Sequence, residues 1–440
     1  MNNPVLKLTY STVLGYFQQG ELLKALSLSD KLLSLAEKQD LGSYLMCAEL
    51  VCGICLEADL DQKALKGYQG ILRKLEPMTT KLTARDPVIE TLLSSCYAGL
   101  GRIYLKRLQY EKAINWFSKR YELTHLWLTE WSEEEMTLPE REHFHAISCE
   151  QLCQLYVQKE DVVQALKYGF EFNAIMKRLY SHESEKEVLI FSLITSYIHL
   201  GRAHMLNKDK DNATESLISG LEVSDAYEDQ FGDSYEHSGP LLILLEALGE
   251  LYAAEQDYER AVPYFLRQYT VIKKLSLLNK DAVATHFNIG CAACKLADGY
   301  VALKKTDDAL PYLRQAEEIF MELTQSANAH LSHNHNLYYC YATYIEYYKT
   351  KDDLPEAIKS AEQTVTVLQK MFDMSRGNQR YRNLLGKHYR ILAGLYRDQQ
   401  QEEKARECDM KVDWLIRHRV SNRTFFKIMI RRAIYGIFKV

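Results

Sequence analysis

Helix breakers are scarce in this chain. It has 20 glycines and 8 prolines, 28 of 440 residues, about half the usual combined share. So few turn formers argue against a sandwich or barrel of short strands and for long helices. Uncharged apolar runs of about 18 residues are also missing, so a transmembrane helix is not expected. The start, Met1-Asn-Asn-Pro4, lacks a charged segment followed by an apolar one, so no secretory leader is expected. Linkers rich in Pro, Ser or Gly are absent, which favours one extended array over separate domains. No acidic residue follows Asp413. Residues 414–440 therefore carry +7 and residues 1–413 carry −12, inside a net charge of −5. That total carries no nucleic-acid signature. Ten irregularly spaced cysteines fit reduced thiols in a cytoplasmic protein better than a disulfide framework.

What the sequence does contain is an exact period. Ala165, Ala213, Ala261, Ala309, Ala357 and Ala405 follow one another at steps of 48 residues. Nine residues before each lies Tyr156, His204, Tyr252, Tyr300, Tyr348 or Tyr396. Ala113 with Tyr104, Ala64 with Cys55 and Ala25 with Tyr16 extend the series upstream, so about nine units are present. Leu100-Gly101, Leu200-Gly201 and Leu248-Gly249 precede the aromatic position by three to four residues. Phe117 and Phe265 follow the alanine by four. A small residue on one helix and a large one on the next give antiparallel hairpins the interdigitation they need.

These positions, Leu100-Gly101…Tyr104…Tyr110…Ala113…Phe117 and Leu248-Gly249…Tyr252…Tyr258…Ala261…Phe265, resemble the tetratricopeptide repeat superfamily over roughly residues 8–417. The resemblance implies an all-α, right-handed superhelical solenoid of about nine antiparallel hairpins. The period is 48 rather than the usual 34, which calls for helices of about 18–20 residues. The organisation expected is a repeat domain over 1–420 and a basic amphipathic C-terminal helix over 421–440. Second helices should begin about two residues before each alanine. Polar connections are expected at Tyr227–Pro240, Thr324–Asn336, Asp373–Arg380 and Ser132–Pro139. Ser132 with Glu135 is a capping-box candidate. Trp127 and Trp131 read as packing under that loop, the competing reading being exposure for a partner.

In this superfamily one face of the first helices lines a groove for peptides or helices, and the residue two before the aromatic points into it. Here that residue is Gln154, Arg202, Glu250, Asp298, Glu346 and Gly394 in successive units. Glu250, Asp298 and Glu346, with Glu246 one turn earlier, form an acidic row that would attract cations. Tyr339 is a nearby aromatic contact. The groove residues expected are therefore Glu246, Glu250, Asp298, Tyr339 and Glu346. The partner expected is a protein or peptide segment, a basic one if the acidic row is what receives it. The competing reading is a solvated acidic face. Members that clamp a carboxylate need lysines and asparagines there, and this row does not fit them.

At 100° per residue the tail places Phe425, Phe426, Met429, Ile430, Ile434 and Ile437 on one face. Lys427, Arg431, Arg432 and Lys439 lie opposite. Three uses are open: a cap on the last repeat, docking on an anionic membrane surface, or docking on a partner or into the acidic groove. Cys52-Gly-Ile-Cys55 and Cys291-Ala-Ala-Cys294 fall in first helices among apolar neighbours and read as packing rather than a zinc or redox pair. His330, His333 and His335 read as one solvated loop, and His143 and His145 are read with the same reserve. No phosphate loop, nucleophile elbow or HExxH pair occurs. The chain is thus expected to be a non-catalytic scaffold or adaptor without cofactor or metal, cytoplasmic, and peripheral at a membrane only if the tail binds one.

Overall fold

A computed structural model describes residues 3–79, 86–183, 186–232, 235–278, 282–326, 331–375 and 378–417. Among these residues there are eighteen helices, α1 (Pro4–Gln18) to α18 (Glu402–Arg417). The chain divides into two compact units, Met1–Gly232 and Asp233–Val440. The first holds α1 to α10, five hairpins. The second holds α11 to α18, four hairpins. Consecutive helices within each unit pack against one another. The expected all-α solenoid of hairpins is what forms.

The repeat has a simple physical basis. Ala25, Ala64, Ala113, Ala165, Ala213, Ala261, Ala309, Ala357 and Ala405 are all fully buried. Each lies three residues inside a second helix: α2 begins at Leu22, α8 at Val162 and α16 at Leu354. With only a methyl group there, the second helix lies close against the first. The tyrosine nine residues earlier packs on the second helix. Tyr156 stacks on Tyr168, Tyr252 on Tyr264 and Tyr300 on Tyr312, with centroids 5.7, 5.8 and 6.0 Å apart. A cation just before the alanine covers the ring: Lys24 on Tyr16, Lys112 on Tyr104, Arg260 on Tyr252 and Lys404 on Tyr396. This arrangement suits a phenol with a wet edge better than a phenylalanine.

The hairpin turns explain how so little glycine suffices. Five residues before each repeat alanine the backbone enters the left-handed region. Gly20 (φ 73°) does this in the first hairpin. Asp59, Leu108, Glu160, Lys208, Gln256, Lys304, Asp352 and Gln400 do it in the others, with φ between 56° and 62°. The next residue's N–H then donates back to the carbonyl of the repeat aromatic position, as in Asp161 to Tyr156 (2.9 Å) and Asp257 to Tyr252 (3.0 Å). This bond caps the first helix. The same aspartates accept from the N–H of Gln164 and Arg260 to start the second helix. One turn of six residues therefore closes one helix and opens the next.

Several connections are shorter than the sequence suggested. Helix α10 (Lys210–Phe231) runs on to Phe231, and α11 (Tyr235–Ala254) includes Pro240. Helix α15 (Leu331–Thr350) starts at Leu331, so His333 and His335 are helical rather than in a loop. His330 lies outside the described residues. His145 is helical and buried, on α7 (Leu138–Gln158), not solvated. The capping box at α7 is formed by Thr137 and Glu140. Ser132 and Glu135 do bond, from Ser132 N–H to the carboxylate at 2.8 Å, but within a turn. Trp127 and Trp131 are buried as expected, their rings 4.5 Å apart. No helix among the described residues is long and apolar enough to cross a membrane.

Candidate functional site

The second unit contains a cleft of about 620 Å³, a size typical of ligand sites. Its walls come from α11, α12 (Tyr258–Leu278), α13 (Ala282–Ala302) and α15. Four of the five groove residues expected from sequence line it: Glu246, Glu250, Asp298 and Tyr339. Glu346 does not. The 48-residue period places Glu250 and Asp298 at the same position of successive first helices; Glu246 lies one turn earlier on α11 and Tyr339 about two turns before Glu346 on α15.

Their charges are not free. Lys295, one turn before Asp298 on α13, reaches back to α11 and pairs with both Glu246 and Glu250, the latter at 2.5 Å. Burial would lower the Lys295 pKa, but the two carboxylates outweigh it and hold it above its ordinary value. Tyr339 donates to Asp298 at 3.0 Å. Burial raises the Asp298 pKa, against the downward pull of the Tyr339 and Thr343 hydroxyls. Burial also pushes the Tyr339 phenol upward, with the Asp298 charge adding to it. Glu346 does not line the cleft; it pairs with Lys349 on its own helix at 3.0 Å, and its charge adds to the upward push on Asp298. The row is thus a half-neutralised, cross-linked strip rather than a run of bare carboxylates.

The remaining walls are mixed. Phe265, Ala253, Ala254 and Tyr258 supply an apolar side, and Asn336 and His335 a polar one. Burial, with the nearby Arg380 cation, depresses the His335 pKa, so the ring is neutral at pH 7. Lys295, Asn336 and His335 were missed in the sequence. Lys295 was legible by its i−3 relation to Asp298 on one helix face. The histidine and asparagine were hidden by the assignment of Thr324–Asn336 to a loop. The acidic row alone gave a face without lysine or asparagine, and the cleft holds one of each.

The CxxC pairs are helical and packed, as expected. Cys52, Cys55 and Cys294 are buried, and Cys291 is partly exposed at the cleft wall. Burial pushes Cys52 and Cys291 up to about 12, so neither is a thiolate at neutral pH. The tail residues Phe425, Phe426, Lys427, Met429, Ile430, Arg431, Arg432, Ile434 and Ile437 lie outside the described residues.

Comparison with known proteins bears on the class. A family model described as a tetratricopeptide repeat matches residues 244–277, which run from α11 into α12 along one side of the cleft. The chain is similar to the apo form of RapI at 12% identity, over 94% of this chain and 98% of that one, with a TM-score of 0.59. It is similar to the apo form of the quorum sensor NprR from B. thuringiensis at 14% identity, over 93% and 98%, with a TM-score of 0.53. A signal transduction ATPase from Pyrococcus horikoshii with a tetratricopeptide repeat sensor matches at 15% identity, over 89% of this chain and 53% of that one, with a TM-score of 0.51. No curated protein matches the chain in sequence. The fold is therefore that of the tetratricopeptide-repeat solenoids.

Proposed function

We propose that the protein is a non-catalytic scaffold or adaptor, and that the cleft of the second unit receives a peptide or helical segment of a partner protein. The supporting observation is the lining itself. An apolar wall (Phe265, Tyr258, Ala253) faces a strip where Lys295 is shared between Glu246 and Glu250, beside an Asp298 carboxylate held by Tyr339. A bound segment with an apolar side chain next to a lysine or arginine fits both. Its cation can take Glu250, which is half exposed, and Asp298, while Lys295 keeps Glu246. The Asn336 amide can pair with a peptide backbone, since it both donates and accepts. The binding mode is that of a segment laid into a preformed groove. The chain is also similar in fold to the quorum sensor NprR and to the signal transduction ATPase with a tetratricopeptide repeat sensor, which supports a recognition role.

The test is selection from a random peptide display library on the full chain. The expected result is enrichment of sequences with Lys or Arg next to an apolar residue. These should lose affinity at least about tenfold for a Glu250→Gln/Asp298→Asn variant, the loss of one charge-assisted contact. Absence of enrichment, or equal binding by the variant, refutes the cleft as the site.

A further inference from the structure

The first unit contains a cluster that the cleft reading leaves unused. His125 on α6 (Tyr110–Glu130), His145 on α7 and Glu171 on α8 (Val162–His182) come from three consecutive helices. One ligand atom from each lies within 4.8 Å of the other two. We propose that these three side chains bind a single borderline divalent cation, with zinc the representative, leaving one coordination position open to solvent.

Two imidazoles and a carboxylate are a donor set suited to zinc and its neighbours, and three protein ligands leave the fourth tetrahedral position free. The cluster also has the outer partners such a site needs. Thr124 Oγ1 lies 3.1 Å from His145 Nδ1 and 3.0 Å from Ser148 Oγ. That leaves His145 Nε2 facing the cluster, 3.1 Å from Glu171 Oε1. The Tyr121 hydroxyl donates to Glu171 at 3.0 Å and orients the carboxylate. Its ring packs on both imidazoles, 5.9 Å from His125 and 4.8 Å from His145. A ligating histidine fixed through its other nitrogen, with a hydrogen-bonded carboxylate, is the usual build of a metal site.

Distances and access agree. Ligand atoms around tetrahedral zinc lie about 3.4 Å apart at bond lengths near 2.1 Å. The His145–Glu171 pair is already that close. The remaining closure falls to His125, which is exposed and turns about its side-chain torsions, while His145 is 1% exposed and fixed. The nearby cation is Lys167, 4.8 Å above the Tyr168 ring. It is exposed and free to swing into water when the site fills. A bound ion would tie three consecutive helices of the third and fourth hairpins together, far along the chain from the cleft residues.

The experiment uses the full chain, stripped with chelator and titrated calorimetrically with zinc chloride. Cobalt chloride titration supplies an independent spectroscopic readout. The expected result is one equivalent of zinc and a visible cobalt band of a four- or five-coordinate nitrogen–oxygen site. Zinc should also raise the melting temperature. His125→Ala and Glu171→Gln should each weaken binding at least about tenfold and abolish the thermal shift. Both positions reach solvent, so circular dichroism should remain that of the parent. Failure of the parent to bind saturably, showing a hydrogen-bonded network only, overturns the proposal. Undiminished binding in both variants also overturns it, since the metal would then sit on other histidines or cysteines.

Discussion

Two glycines of the second unit should respond to the same substitution with opposite signs. A Cβ on Gly249 would lie 2.4 Å from Phe265 Cε1 and 2.7 Å from its Cδ1. Ordinary contact begins near 3.4 Å, so the ring must move by about 1 Å. Phe265 is only 4% exposed, between helices, and has little room to move. Overpacking of this kind costs about 1–3 kcal/mol, and the displacement puts Gly249→Ala in the upper part of that range. Replacing a mid-helix glycine returns about 0.5–1 kcal/mol. The net loss is then about 1–2 kcal/mol. A Cβ on Gly394 meets nothing within 4 Å, so Gly394→Ala keeps only the gain of about 0.5–1 kcal/mol. The two variants should differ by about 2–3 kcal/mol, roughly 2–4 °C for each kcal/mol in a unit of this size. Urea and thermal unfolding of the full chain measure this. A second arm checks the cause. Gly249→Ala combined with Phe265→Leu should lose less than the sum of the singles, because Gly201 already faces a leucine, Leu217, at a looser 2.9 Å. Equal shifts for Gly249→Ala and Gly394→Ala, or strict additivity in the double variant, would refute this account of the helix approach.

Three further outcomes are expected. Lys304 holds a left-handed backbone (φ 58°) in a hairpin turn, so Lys304→Gly should gain about 0.5–1 kcal/mol and Lys304→Val should lose stability, read from urea midpoints. His388 is buried on α17 (Gln379–Asp398), and burial, aided by Lys387, lowers its pKa to about 4. The folded state therefore holds fewer protons than the unfolded chain between about pH 6.5 and pH 4. Stability should fall through that window as pH drops, by on the order of 1–3 kcal/mol, and His388→Phe should flatten the dependence. Asp298 has the opposite sign: burial raises its pKa, so its contribution to stability falls as pH rises through its ordinary range. Asp298→Asn should then leave stability at pH 7 unchanged or higher while weakening cationic peptides. A clear loss of stability in that variant would count against the assigned burial.

The repeat was legible because it is one-dimensional. A buried methyl at a fixed step, an aromatic nine residues earlier and a polar turn between them are local requirements, so they leave marks at fixed spacing. Helix starts, the short first hairpin and the packing of both CxxC pairs follow from those marks. The neighbouring positions of Glu250 and Asp298 were legible for the same reason, being 48 residues apart, whereas the same spacing extended to Glu346 does not reach the cleft. The turn geometry was not. Leu108, Glu160 and Lys304 are chemically unlike and share only a backbone angle, which composition does not reveal.

By itself, then, the sequence determined the hairpin, its register and the side of the first helices on which the acids fall, since each depends on spacing along one chain. Tertiary structure decided what those acids do. Lys295 reaches across to α11 and turns two of them into an ion pair, Tyr339 claims the third, and Lys349 draws Glu346 to its own helix. It also decided that His125, His145 and Glu171, separated by 20 and 26 residues, meet at one point. Electrostatic partners and ligand sets depend on distance through space, and stacked helices bring together residues that no fixed spacing announces.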